Sequence, residues 1–190
     1  MDASPELEAA RNLALQKIGR NVVNLQKMEA MLKFLLLVSD HTAPASTFSA
    51  EHAKRALRIA RMPMGELVER AAKGLFVGEQ VRSKIPADIQ EPWLSFNFVI
   101  ESDDATRIAW RKNMRSVVQE RNALVHKMLA KFDPHTVESC KSLSATLDEQ
   151  RARLSDAYSS VESMFKAARE GIADMASGNV EIVREPRNDD

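Results

Sequence analysis

Residues 107–132 read RIAWRKNMRSVVQERNALVHKMLAKF, and this stretch is the strongest indication of the fold. Just before it, Ser102 is a suitable N-cap, and Asp103 places negative charge in the first helical turn. Just after it, Asp133 and Pro134 stop a helix. The sequence therefore predicts one helix of about seven turns that spans the whole stretch.

Apolar residues recur every three or four positions along this helix and form one stripe. They are Trp110, Met114, Val117, Leu124 and Met128. Arg121 takes a position within the same stripe, so an arginine is expected in the middle of the buried face. Asn122 lies at the edge of the stripe, and His126 lies roughly 40° beyond Asn122 at about 100° per residue. We call Arg121, Asn122 and His126 the notch, because they are expected to share one polar arc.

A row of cations leads towards the notch along the same side of the helix. Arg107, Arg111 and Arg115 follow one another at steps of four residues, and we call these three the ridge. The ridge is either a surface that binds RNA phosphates or a solvated face, since charged side chains are mostly exposed. Arg121 differs from the ridge, because a buried unpaired guanidinium costs several kcal/mol and needs an acid, a cleft or an anion.

The six residues RNALVH, Arg121 to His126, resemble the signature of the HEPN superfamily. In its helical domains an Arg, a polar residue, three further residues and a His stand near the start of a late helix. In that family the motif marks metal-independent endoribonucleases, often toxins or defence proteins, that dimerise so that two motifs line one cleft. The resemblance therefore implies that Arg121, Asn122 and His126 are catalytic.

Composition limits the other classes of protein. The 190 residues suit one domain with a single core, expected over 1–183 with a mobile charged tail at 184–190. One cysteine, Cys140, excludes an internal disulfide framework. The net charge of +0 means that any RNA binding must come from a local patch. The N-terminal region lacks an apolar signal core and no stretch is long enough to span a bilayer, so we expect a cytoplasmic protein without membrane contact.

The first helix is predicted over residues 6–39, because Ser4 and Pro5 form a helix start and no breaker follows except Gly19. Glu29 interrupts its apolar line, as Arg121 interrupts the later one. An acid and a base that each occupy an apolar position are candidates to pair, so we expect Glu29 to support Arg121. The alternative is that Glu29 lies at the frayed edge of the stripe.

A second basic stripe follows on a short helix predicted over residues 49–61. Its members are Lys54, Arg55, Arg58 and Arg61. We expect it either to bind RNA phosphates or to be a solvated face.

The fold predicted from these segments is all-α. It is an up-and-down bundle of two long helices, 6–39 and 136–177, with the helix 103–132 and two short helices. Residues 96–100 alternate polar and apolar side chains, and residues 180–183 are the other strand-like run, so the two are candidates for a small two-stranded ribbon.

Several chemistries lack their motifs in the sequence. There is no glycine-rich phosphate loop, no CxxC pair and no HExxH, so we expect neither a metal nor a cofactor. His41, His52 and His135 fall at loop or helix-start positions and are expected to be caps or surface residues.

The leading hypothesis is RNA cleavage by internal transesterification. His126 would take the proton of the ribose 2′-hydroxyl or protonate the leaving oxygen, while Arg121 would bind the charged phosphorane and Asn122 would orient either group. The alternative is an inactive HEPN-like module that binds a protein partner or a nucleotide, with the notch as a structural network. A catalytic His must reach solvent, whereas a network His is enclosed.

A homodimer is the expected assembly. Packing the notch helix beside its two-fold mate would bury Val118, Val125 and Leu129 and leave a cleft over the notch. RNA is the expected ligand of that cleft, and an antitoxin protein is a further expected partner.

Overall fold

A computed structural model describes residues 4–77 and 91–177. The predicted all-α fold is confirmed, because most of these residues are helical. The helices are α1 (Pro5–Val38), α2 (Phe48–Ala60), α3 (Met64–Gly74), α4 (Asp104–Ala123), α5 (Leu129–Lys131) and α6 (Val137–Ala176), and a π turn (Leu124–Met128) joins α4 to α5. The strands within the described ranges are β1 (His41–Pro44), β2 (Phe76–Val77), β3 (Trp93–Phe96) and β4 (Ile100–Glu101).

The two long helices α1 and α6 run in the same direction and contact each other along their length. Near their N-termini Lys141 Nζ lies 2.8 Å from Glu6 Oε1, and near their C-termini the rings of Phe34 and Phe165 lie 5.0 Å apart. Both helices supply buried apolar side chains to the main core, among them Leu25, Leu32, Leu35, Leu147, Leu154 and Val161. The two helices therefore form the stem on which the rest of the chain packs.

Helices α3 and α4 run antiparallel on one side of this stem. Glu69 in α3 contacts Arg115 in α4. Phe76 follows α3, and the centroid of its ring lies 4.8 Å from that of Trp110, which comes before Arg115 in α4. The start of α4 differs from the prediction by one residue, because the side chain of Asp103, not that of Ser102, accepts a hydrogen bond from the N–H of Thr106. An aspartate at this position also places its negative charge at the positive end of the helix.

Two short pairs of strands lie beside the helices. β1 pairs antiparallel with β3, with His41 opposite Phe96, and β2 pairs parallel with β4, with Phe76 opposite Ile100. A small two-stranded ribbon was predicted, but its strands differ, because β3 overlaps the predicted segment 96–100 only at Phe96 and pairs with β1. The expected partner at 180–183 lies outside the described residues.

Strand β1 was not among the elements predicted from the sequence. The reason is that β1 is stabilised by a partner about fifty positions later, where the hydroxyls of Thr42 and Ser95 lie 2.8 Å apart. Four residues of sequence HTAP show no alternation that would reveal such a partner. The predicted tail at 184–190 also lies outside the described residues.

In the part of the chain that the structure describes, no helix combines the length and the apolar composition that crossing a membrane requires.

Candidate functional site

The notch lies where α4 changes into the π turn. The N–H of Leu129 donates to the carbonyl of Leu124, five residues earlier, and His126 is in the middle of this turn. A π turn holds more residues than an α turn, so each residue rotates less about the helix axis. His126 therefore lies more nearly above Asn122, one turn away, than uniform α-helical spacing predicts. Single π turns inside helices are frequent at functional sites.

A side chain of α6 binds α4 just before this change of helix type. Gln150 Nε2 donates to the backbone carbonyl of Glu120 at 3.0 Å, and the N–H of Leu124 donates to the same carbonyl. The π turn begins at Leu124, so Gln150 holds the end of α4 beside the notch from a neighbouring helix.

One notch side chain, that of Arg121, is more exposed than predicted. Asn122 and His126 are exposed, and Arg121 is half-buried rather than buried. The prediction of an arginine in the middle of the buried face is therefore wrong. Its guanidinium reaches solvent and donates from Nη1 to Asn122 Oδ1 at 3.3 Å. This bond brings Arg121 and Asn122 together on the side of the helix from which His126 also projects.

The predicted pair between Glu29 and Arg121 is also wrong. Glu29 Oε1 accepts from Lys33 Nζ at 2.8 Å, one turn later on the same helix. The physical reason is that Arg121 is not buried, so water replaces the acidic partner that a buried guanidinium would need. The i, i+4 spacing of Glu29 and Lys33 is visible in the sequence and is a common helical ion pair.

The ridge is not a row of free cations, because acids of the protein pair with all three arginines. Arg111 Nη2 donates to Glu69 Oε2, Arg115 Nε lies 2.7 Å from Glu69 Oε1, and Arg107 pairs with Asp104 at 2.7 Å. The hydrogen bonds from Arg111 and then Arg115 lower the pKa of Glu69 to about 2. Glu69 therefore joins α3 to α4 by two ion pairs and neutralises charge at Arg111 and Arg115.

The second basic stripe is divided between structural and exposed cations. Arg55 Nη2 donates to the carbonyls of Leu36 at 2.6 Å and Ser39 at 2.5 Å, so it caps the end of α1. Lys54 pairs with Glu51 on its own helix. Arg58 and Arg61 are exposed and have no ion-pair partner among the described residues, so they are the members of the stripe that remain free for an anion.

A buried polar network behind the notch was not predicted as a part of the site. Asn21 Nδ2 donates to Gln150 Oε1 at 3.0 Å and to the carbonyl of Leu147 at 2.8 Å, both in the core. Gln150 in turn binds Glu120, whose carboxylate also accepts from Arg153 Nε at 2.7 Å. These hydrogen bonds, that from Arg153 first, lower the pKa of Glu120. The network links α1, α6 and α4 at the residue before Arg121.

The histidines outside the notch differ from one another. His135 is exposed, as predicted, whereas His41 is only 8% exposed, so the prediction of a cap or surface role for His41 is wrong. The rings of Phe48 and His52 cover it at 4.6 Å and 5.3 Å. No group of three or more His, Cys, Asp or Glu side chains suited to a metal ion occurs in residues 4–77 and 91–177.

Comparison of the chain with models of protein families, with curated proteins and with solved structures finds no match. The geometry of the site is therefore the basis on which its function is proposed.

Proposed function

We propose that the chain is a metal-independent endoribonuclease of the HEPN type that acts on cytoplasmic RNA in a toxin or defence role. Exposure is the observation that supports this most. Asn122 and His126 face solvent and Arg121 is half-exposed, so a phosphate can approach all three. A His that served only a structural network would be enclosed, whereas the buried network here runs through Asn21 and Gln150.

The proposed reaction uses the 2′-hydroxyl of the substrate as its nucleophile. His126 takes the hydroxyl proton as the 2′-oxygen attacks the adjacent phosphorus, because a histidine can exchange a proton near neutral pH. The planar guanidinium of Arg121 binds the charged phosphorane, and its bond to Asn122 fixes the direction of the fork. His126 then gives that proton to the leaving 5′-oxygen, and a 2′,3′-cyclic phosphate remains. No metal is required to generate the nucleophile.

A homodimer completes the proposed site. Val118 and Leu129 already pack partly against the core of one chain, so Val125, 40% exposed, is the apolar side chain beside the notch that is most available to a mate. Two chains related by a two-fold axis would place two notches in one cleft. An antitoxin that silences the enzyme is proposed to cover the same cleft.

The direct test is RNA cleavage by the purified protein in the presence of a chelator. We expect products that end in a cyclic phosphate, and no cleavage of DNA of the same sequence, since DNA lacks the 2′-hydroxyl. His126→Ala should lower the rate by about 10²- to 10⁴-fold. His135→Ala is the matched control, because His135 is exposed elsewhere. Equal cleavage by wild type and His126→Ala would remove His126 from the mechanism.

The dimer is tested separately by light scattering at micromolar concentration. The expected mass is twice the 21.3 kDa of one chain. Val125→Glu should return a single chain, whereas Val23→Glu, at a position 50% exposed on α1, should leave the dimer intact. A mass of one chain for the wild type, with activity unchanged on dilution, would refute the dimer.

The second candidate is an inactive HEPN-like module that binds a protein partner or nucleotide. The pairing of the ridge with Glu69 and Asp104 favours it, because these arginines are already neutralised. An intact fold with no cleavage of any RNA by the wild type would select this candidate.

A further inference from the structure

A cavity of about 650 Å³ lies at the C-terminal ends of α1 and α6, away from the notch. The long helices contribute Leu37, Val38, Ala168 and Ile172 to its walls. Ala168 is eighteen residues beyond Gln150, the α6 residue bonded beside the notch, which is about 27 Å along a helix axis. The cavity is therefore a separate site, of a volume typical of small-molecule sites.

The lining of this cavity is aromatic and uncharged. Phe48, Phe96 and Phe98 contribute rings, and the centroids of Phe48 and Phe96 lie 5.6 Å apart. No Asp, Glu, Lys or Arg side chain is among the described residues that line it. Phe96 is 42% exposed, so an apolar surface continues to the mouth of the cavity. A neutral ligand with an aromatic ring fits these walls.

Two imidazoles in the same wall have buried nitrogens without a hydrogen-bond partner. They are Nε2 of His41 and Nδ1 of His52, and the two ring centroids lie 5.3 Å apart. The imidazole of His41 also lies beside the backbone of Phe48. Burial, and then the charge of Arg55, lower the pKa of His41. A neutral imidazole carries a lone pair on one of its two nitrogens, which can accept a hydrogen bond.

We propose that this cavity binds a neutral aromatic alcohol, whose ring packs against the phenylalanines and whose hydroxyl hydrogen bonds to His41 and His52. The hydroxyl donates to Nε2 of His41 and accepts from Nδ1 of His52, since the two ring centroids lie 5.3 Å apart. An orphaned buried polar atom destabilises a protein, and such a ligand removes that cost at both imidazoles.

The same observations disfavour other occupants. An anionic ligand would find no cation among the lining residues that the structure describes. An apolar helix of a partner protein would cover the phenylalanines but leave both imidazole nitrogens unpaired. The hydroxyl is therefore the feature that distinguishes the proposed ligand from a purely apolar one.

The test compares 2-naphthol with naphthalene as probes, since both have the same rings and 2-naphthol is uncharged at neutral pH. Binding to the full chain is followed by the fluorescence of each probe. We expect wild type to bind 2-naphthol about tenfold more tightly than naphthalene, the factor that corresponds to one net hydrogen bond. His41→Phe and His52→Phe should keep naphthalene binding and lose the preference for 2-naphthol.

Two further variants keep the test decisive if a histidine variant fails to fold. Ile172→Glu, at a position 36% exposed at the rim, should weaken both probes at least tenfold. His135→Phe, an exposed histidine elsewhere, should change neither affinity. The proposal is overturned if wild type binds neither probe, if it binds both equally, or if Ile172→Glu leaves both affinities unchanged.

Discussion

Replacing Gln150 by leucine tests the network that joins the stem to the notch. Gln150 is fully buried and makes three side-chain hydrogen bonds, one from Asn21 and two to Glu120. Leucine has a similar volume, so the substitution removes the bonds without a large cavity. The free energy of unfolding should therefore report the hydrogen bonds and not the packing.

The size of the effect follows from which groups lose their last partner. Both Glu120 acceptors keep another donor, because Oε2 still accepts from Arg153 and the backbone carbonyl still accepts from the N–H of Leu124. The loss of the two hydrogen bonds from Gln150 to Glu120 therefore costs about 1 kcal/mol in total. One N–H of Asn21 is left buried and unpaired, which costs about 1–3 kcal/mol. We expect Gln150→Leu to lower the free energy of unfolding by about 2–4 kcal/mol.

The assay is urea unfolding followed by circular dichroism, completed as a double-mutant cycle. Asn21→Val combined with Gln150→Leu removes the orphaned N–H, so the double variant should be about 1–2 kcal/mol more stable than the sum of the single losses predicts. Gln26→Leu, at an exposed glutamine of α1, is the matched control and should change stability by less than about 0.5 kcal/mol. The network would be refuted if Gln150→Leu also lowered the free energy of unfolding by less than about 0.5 kcal/mol. It would also be refuted if the losses of the two single variants added up to the loss of the double variant.

Three other predictions concern the charged groups. The pKa of Glu69 falls from 4.5 to about 2 in the folded chain, so its stabilisation is present above about pH 4.5 and is lost as the pH falls towards 2. Urea unfolding across that range should show a steeper loss for wild type than for Glu69→Gln. Glu69→Gln also leaves Arg111 and Arg115 without their acidic partner, so both can bind RNA phosphates. The slope of the logarithm of the RNA binding constant against the logarithm of the salt concentration should therefore be steeper by about 1.4. Glu66→Gln is the control and should have the slope of the wild type. Arg55→Met should lose about 2–3 kcal/mol of stability in thermal or urea unfolding, because two charged hydrogen bonds to the end of α1 disappear, and Arg58→Met should lose less than about 0.5 kcal/mol.

The helices could be predicted from the sequence because their signals are local. Ser4 and Thr136 accept hydrogen bonds from the first turns of α1 and α6, as their types and positions predicted. Arg20 and Asn21 are polar residues within α1, and both bind side chains of α6.

What could not be predicted depends on contacts between distant segments. Glu69 has no local sign that two arginines, more than forty residues later, will bind it. His41 is buried only because the residues of α2 fold over β1. Arg121 was placed on the buried face by the spacing of the apolar stripe, but in the described part of the chain no helix covers that position and it is half-exposed. The π turn begins after Arg121, so it changes the direction of His126 and not that of Arg121. The interior bond from Gln150 has no signal in the local pattern of α4.

Glu120 and Arg121 are adjacent in α4 but have different surroundings, and through them the stem can influence the proposed reaction at the notch. Glu120 points into the network of Asn21, Gln150 and Arg153, whereas Arg121, the next residue, points out towards Asn122. Four hydrogen bonds, two from Gln150 and two from Arg153, restrain Glu120, so the direction of its neighbour on the same helix is restrained as well. Asn122 and His126 are exposed, and mobile side chains there would lose the geometry that the proposed reaction needs. Its rigidity is therefore supplied by α1 and α6 through Glu120, which is why we expect Gln150→Leu to lower RNA cleavage even where the chain remains folded.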